Sequence, residues 1–246
     1  MNKFRFLIFL LGFSASLSTL QSCIDDDDSV DPLSRPTALV TVRPLQNNSF
    51  ELQLDNTTKL RPTNMSSSPF GNKEVRALVN YTEEGGNETD NVRNVHINWI
   101  DSIRTKKPVL SLGDENDAKY GNDAIEIVRD WVTIAEDGYL TLRIRTLWGI
   151  TDTPHVINLL TGVNPDNPYE LELRHDAKGD AGFRMGDALI AFNLNDLPRG
   201  DNSEIKITLK WRSFYGNKSA DFDLYLHPIS IALDLSEKVE YNRFVR

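Results

Sequence analysis

From about residue 37 onward, apolar and polar side chains alternate with a period of two, the pattern of half-buried strands. Ala38, Val40 and Val42 share one face, and Phe50, Leu52 and Leu54 follow the turn signal Gln46-Asn47-Asn48. Val75, Ala77, Val79 and Tyr81 form a further row, and Val95, Ile97 and Trp99 another. Asn64 to Asn72 is rich in Ser, Asn, Pro and Gly and reads as a loop, while Glu83-Glu84-Gly85-Gly86-Asn87 reads as a hairpin tip. About five short strands in roughly seventy residues suit a small barrel.

The pattern lapses over residues 105–123. Thr105-Lys106-Lys107-Pro108 and Gly113-Asp114-Glu115-Asn116-Asp117 are polar and turn-rich and mark a domain boundary. Alternation then returns more strongly. Trp131-Val132-Thr133-Ile134 runs into Glu136-Asp137-Gly138, a hairpin turn in which glycine supplies positive φ cheaply. Leu140, Leu142, Ile144 and Thr146 face one way, Thr141, Arg143 and Arg145 the other. Tyr169, Leu171 and Leu173 alternate with Glu170, Glu172 and Arg174; Ile205, Ile207, Leu209 and Trp211 alternate with Lys206, Thr208, Lys210 and Arg212. Phe222 and Leu224 alternate with Asp221 and Asp223. Antiparallel strands with one wet face build a β-sandwich. Gly186 to Leu197 is too short and mixed to assign an element. The fold class is all-β: a small barrel followed by an antiparallel β-sandwich.

Ahead of the strands stands a leader. Lys3 and Arg5 open it, Phe6 to Leu17 is mostly apolar, and Leu20-Gln21-Ser22 leads to Cys23, the one cysteine in the chain. Charge, apolar run, small residues and Cys make a secretory signal, with a run too short for a membrane span. A cysteine at the cut site adds lipidation: its thiol takes a diacylglyceryl group through a thioether, and after cleavage Cys23 is the new N-terminal residue. Residues 1–22 are thus the signal peptide of a lipoprotein. Residues 23–36 are an acidic tether, solvated and extended by Asp25, Asp26, Asp27 and Asp28. The barrel domain spans 37–108, a linker 109–123 and the sandwich 124–246. Acidic residues directly behind the acylated cysteine resemble the export signal that sends Bacteroidota lipoproteins to the outer face of the outer membrane. Asp28-Ser29-Val30 and Asp101-Ser102-Ile103 resemble the O-glycosylation tripeptide of the same phylum, with Ser29 in the more open setting.

Charge narrows the partners. The net charge is −9, and removing Lys3 and Arg5 takes it to about −11. Such a surface does not invite nucleic acid, whose phosphates require basic patches. With Cys23 acylated, no thiol remains for a disulfide, a thiolate metal site or a nucleophile. His96, His155, His175 and His227 have no chelating spacing, and a backbone hydrogen bond is the ordinary expectation for His175. The acidic stretch Asp114 to Asp117 lacks calcium-loop spacing and reads as solvated linker. Asp221 and Asp223 beside Lys218 read as an exposed strand face rather than a hydrolytic carboxylate pair. Arg143, Arg145, Glu170, Glu172 and Arg174 read as cross-strand charge pairing. No serine elbow or phosphate loop appears. No cofactor, metal site or catalytic residue is therefore expected.

Several segments resemble the NigD-like lipoproteins of Bacteroidota. They are Tyr120-Gly121-Asn122-Asp123, Asp130 to Ile134, Gly138 to Leu142, Leu147-Trp148-Gly149, His155 to Leu159 and Pro168 to His175. The likeness covers most of the mature chain and is closest between residues 120 and 180. It implies an N-terminal OB-like barrel, a C-terminal β-sandwich and no catalytic motif. The family name, from a bacteriocin operon, implies an immunity role exerted by binding a protein. An alternative is a glycan-binding accessory lipoprotein with Trp148, Tyr215 and Tyr225 as sugar platforms. The lipid anchor would be the membrane contact in either case. Labelled palmitate should enter the native chain, and Cys23→Ser should abolish the incorporation; equal labelling of the variant would remove the anchor.

Overall fold

The computed structural model of the chain describes residues 37–85, 91–149, 153–180, 182–199 and 204–227. Cys23, Asp25, Asp26, Asp27, Asp28 and Ser29 lie outside them. The barrel comprises β1 (Thr37–Pro44), β2 (Phe50–Gln53), β3 (Lys59–Pro62), β4 (Val75–Glu83) and β5 (Val92–Ser102). Their order is β1-β2-β3-β5-β4, and β4 pairs back onto β1 to close it. Closure leaves no free sheet edge in this half. Val40, Val42, Leu52, Leu60, Val79 and Val95 fill the interior with no exposed surface, as the alternation demands. β3 carries a single buried side chain, Leu60, so periodicity had nothing to register there.

The sandwich comprises β6 (Arg104–Lys106), β7 (Val109–Leu110), β8 (Glu126–Val128), β9 (Ile134–Glu136), β10 (Tyr139–Trp148), β11 (Val156–Thr161), β12 (Glu170–Asp176), β13 (Arg184–Asn193), β14 (Glu204–Ser213) and β15 (Gly216–Tyr225). A short helix, α1 (Asn116–Tyr120), precedes β8. One sheet runs β6-β13-β10-β8 with β9 on β10, and the other runs β15-β14-β12-β11-β7. Leu140, Leu142, Ile144, Ile157, Leu159, Ile190, Phe192, Ile207 and Leu209 meet between them. Leu171 and Leu173 join from β12, and Trp211 from β14.

Three local readings change. Residues 105–123 are more than a connector: β6 lies parallel on β13, β7 lies parallel on β11, and α1 packs over β11 and β12. Strands of two or three residues are too short to alternate. Trp131-Val132-Thr133 is a turn, with the Thr133 amide bonded to the Asp130 carbonyl, and pairing begins only at Ile134. Gly186 to Leu197 mostly belongs to β13, which is flanked on both sides. Its consecutive Ile190, Ala191 and Phe192 are all buried because one face meets the core and the other lies under the barrel. Two-sided burial erases alternation.

The barrel sits on that outer face through a small apolar cluster and a polar network. Leu39, Leu78 and Ile103 of the barrel half meet Ile134, Leu189 and Ala191. Beside them Arg76 is fully buried. Its guanidinium donates to Glu136 at 2.5 Å, Thr41 at 2.9 Å and Thr141 at 3.3 Å, and lies 5.8 Å from the Tyr139 ring centroid. Burial raises the Glu136 carboxyl above its usual range even with Arg76 pulling it down. Arg43 donates to both oxygens of buried Asp137 at 2.6 Å, and Tyr139 donates to Glu74 at 2.6 Å. Burial, then Glu74, holds the Tyr139 hydroxyl well above its ordinary value. Asp137 and Gly138 form the two-residue turn between β9 and β10 with φ of 53° and 76°, as a primed hairpin turn requires.

At the sandwich edge Lys106 ties the sheets together, donating to the Ile157 carbonyl at 2.6 Å and to Asn158 Oδ1 at 2.8 Å. Burial, assisted by Arg104, lowers its ammonium from 10.5 to about 8.

Two outcomes follow. Arg76→Met strands the partly buried Glu136 and should cost about 3–5 kcal/mol in urea unfolding, with Arg76→Met/Glu136→Gln recovering most of it; equal losses would mean the pair is not coupled. The unfolded chain binds the Lys106 proton more tightly than the folded one, so this group makes stability rise from pH 8 toward 10.5. Lys106→Met should flatten that rise relative to the native chain, and parallel profiles would refute it.

Candidate binding groove

The outer face of the β15-β14-β12-β11-β7 sheet carries a groove of 620 Å3. Alternation puts Glu170, Glu172 and Arg174 on its floor from β12, and Lys210 and Arg212 from β14. Asn217 and Ser219 of β15 bound one side, and Asn122, just beyond α1, closes one end. The floor is a lattice of opposite charges. Lys210 meets Glu170 at 2.6 Å, and Arg174 meets Glu172 at 2.9 Å and Asp117 at 2.5 Å. Lys218 reaches Glu126 at 2.9 Å. Arg212 donates to the Asn122 carbonyl at 2.5 Å.

These contacts tune the acids. Hydrogen bonding from Lys210 lowers Glu170, and hydrogen bonds from Arg174 and then Asn122 lower Asp117. Burial pushes Glu126 up, but Lys218 and Ser213 together bring it below its usual value. Glu170, Asp117 and Glu126 are therefore held as carboxylates, with each exposed pair worth little to stability.

The end wall is built by residues 121–124. Gly121 has φ of 77°, and a Cβ there would overlap Asp176 and the His175 carbonyl, so glycine alone fits. The Asp123 amide donates to the His175 carbonyl at 2.9 Å, and the Asp123 carboxylate accepts from the Ala177 amide at 2.7 Å. Behind this wall His155 and His175 lie buried at 0% and 2% exposure. His175 Nδ1 is 3.1 Å from the Ala124 carbonyl, and His175 Nε2 is 2.9 Å from His155 Nδ1. His155 Nε2 stands 3.2 Å from Asp180 Oδ2, which also accepts from the Gly149 amide at 2.7 Å. Trp148 stacks on His155 with ring centroids 4.3 Å apart. Burial, then the neighbouring His155, lowers His175 from 6.5 to about 4.

Reading each histidine alone found the backbone bond of His175 but missed its partner. The two residues are 20 apart in sequence and meet because β11 and β12 are antiparallel neighbours, with His175 opposite Ile157. The glycine, tryptophan and histidine segments singled out in the sequence converge here.

Other expectations resolve individually. Arg143 and Arg145 lie on the opposite sheet from Glu170, Glu172 and Arg174; they pair with Asp187, and Arg143 also with Asp130. Asp114 to Asp117 is ordered: the Asn116 side chain accepts from the Leu112 amide at 2.7 Å and donates to Ser111 at 2.9 Å. Asp221 and Asp223 share the outer face of β15, where Asp221 accepts from Thr208 and Asp223 faces Lys206. Trp148 is no sugar platform, since its ring covers His155 and its Nε1 donates to the Gly186 carbonyl. Tyr215 is 90% exposed at the β14–β15 hairpin and Tyr225 41% exposed on β15. Ser102 pairs with Ala77 at the end of β5. Among the described residues no helix is long and apolar enough to cross a membrane.

Comparison with known proteins agrees with this architecture. The model of the NigD-like N-terminal OB domain matches residues 39–103, and that of the NigD-like C-terminal β-sandwich domain matches residues 108–224. No curated protein matches the chain. A solved toxin-related protein of Parabacteroides distasonis is 32% identical with a TM-score of 0.65, covering 77% of this chain and 93% of its own. A protein of unknown function from Bacteroides vulgatus is 21% identical with a TM-score of 0.60, covering 79% and 92%. A NigD-like immunity protein of Bacteroides caccae is 20% identical with a TM-score of 0.55, covering 78% and 97%; these last two likenesses bear on the fold alone. With OB barrel and sandwich both matched along most of its described length, the chain belongs to the NigD-like family.

Proposed function

We propose that this chain is a lipid-anchored outer-membrane protein, facing the cell exterior, that acts by binding rather than by catalysis. Its role is of the immunity type, intercepting a secreted polypeptide toxin. The charged groove carries this reading: a concave sheet face of 620 Å3, with acids and bases side by side, suits an extended polypeptide whose charges replace the internal pairs. The leader, Cys23 and the following aspartates support the location. The description of one structural relative, 32% identical, as toxin-related supports the choice of partner. The buried histidines offer no reactive group to a substrate.

A second reading keeps one observation in its favour. Tyr215, 90% exposed beside the groove, could stack on a sugar ring.

A strain lacking the gene should gain sensitivity to at least one member of a bacteriocin panel. The native chain should restore survival, while Cys23→Ser and the doubly reversed Lys210→Glu/Arg212→Glu should not. Both reversed positions are solvent-facing, so folding should survive within about 0.5 kcal/mol. Unchanged survival of the deletion strain would count against immunity, and a glycan-array signal lost in Tyr215→Ala would favour the sugar reading.

A further inference from the structure

The contacts among His155, His175 and Asp180 form a linear chain whose hydrogens can be counted. The Ala124 carbonyl only accepts, so His175 Nδ1, 3.1 Å away, bears a hydrogen. The 2.9 Å contact between His175 Nε2 and His155 Nδ1 needs one hydrogen between the two nitrogens. Asp180 Oδ2 already accepts from the Gly149 amide at 2.7 Å, so it acts as a carboxylate oxygen, and His155 Nε2 at 3.2 Å must donate to it. Three links need three ring hydrogens. Two neutral imidazoles supply only two. Removing the third sets two lone pairs against each other at one of the links, inside a site where His155 has no exposed surface, and that is costly.

We propose that the folded protein stores one extra proton in this chain, as a His155 imidazolium paired with the Asp180 carboxylate beside a neutral His175. The stored charge is internally compensated, so the cluster is electrically neutral. Trp148 stacks on the His155 ring at 4.3 Å between centroids, in a position to stabilise a cation through its π face. Other charges around the pair leave His175 the poorer site. Asp123 and Asp176 are the acids near it, Asp176 is itself engaged by Lys178 at 2.6 Å, and a charged His155 opposes a second positive charge next door.

The proton has a mechanical consequence. His175 grips the 121–124 segment twice, through its ring to the Ala124 carbonyl and through its own carbonyl to the Asp123 amide. The Ala124 carbonyl also accepts from Thr146 at 3.0 Å. The same segment presents the Asn122 carbonyl to Arg212. Loss of the proton therefore loosens the wall that closes the groove, whatever ligand the groove takes.

Nitrogen-15 spectra of the full chain, labelled at histidine, test this directly. At pH 6.5 His155 should show hydrogens on both ring nitrogens and His175 on Nδ1 alone. Two neutral rings at this pH would overturn the proposal. Asp180→Asn removes the counter-charge while keeping an oxygen for the Gly149 amide, so the His155 signals should lose one hydrogen; an imidazolium persisting in that variant would also overturn it. If the variant does not fold, the spectrum of the native chain alone decides. Raising the pH until the third hydrogen is lost should speed amide exchange at Asp123 beyond the intrinsic base effect, and unchanged protection there would refute the coupling to the wall.

Discussion

The arrangement of this molecule rests on one guanidinium, that of Arg76, taken out of water between barrel and sandwich. Burying a cation is expensive unless every donor is met. Glu136, Thr41 and Thr141 meet it from two strands of the sandwich and one of the barrel itself. An apolar contact alone would tolerate sliding; this one does not, because a displacement of an ångström or so leaves a charge unpaired. Buried ion pairs are weak evidence for net stability but good devices for registry. Arg43 with Asp137 and Tyr139 with Glu74 repeat the arrangement along the same junction. The barrel is thereby fixed on the outer face of one sheet, and the outer face of the other carries the charged groove.

That second face is where charge is concentrated without being concentrated in sign. Every floor cation of the groove has an oxygen partner, and most of the partners are carboxylates. Such a surface is soluble when empty and loses little when a partner supplies substitute charges, which favours selectivity over raw affinity. The buried histidine chain lies behind its end wall and ties β12 and the start of β11 to the segment 121–124. Groove and histidines thus occupy two sides of the same segment, residues 121–124.

The fold was largely legible because most of its strands set apolar residues at every second position. Val75 to Tyr81, Leu140 to Thr146 and Ile205 to Trp211 each announce themselves by alternation, and Asp137-Gly138 announces its turn by composition. What stayed hidden has a common physical cause. β13 is covered on both faces, so its run Ile190-Ala191-Phe192 shows no period; β6 and β7 are too short to have one; Arg76 sits among the apolar neighbours of β4 like any solvent-facing polar position. The groove was legible only as rows of charge, since the sequence does not say that β12 and β14 are parallel neighbours. The histidine pair needed the register of β11 and β12, a long-range fact that local spacing does not encode.

The turn between β9 and β10 binds more than two strands. The Gly138 amide donates to the Tyr225 carbonyl, its carbonyl accepts from the Leu194 amide, and a Cβ on it would strike the side chain of Asn195. The adjacent Asp137 takes Arg43 from the barrel and His227 from the chain beyond β15. Three distant stretches of the polypeptide converge on two residues. A foreign barrel in this place would take Arg43 from Asp137 and Arg76 from Glu136, so the two halves are matched to each other at this turn.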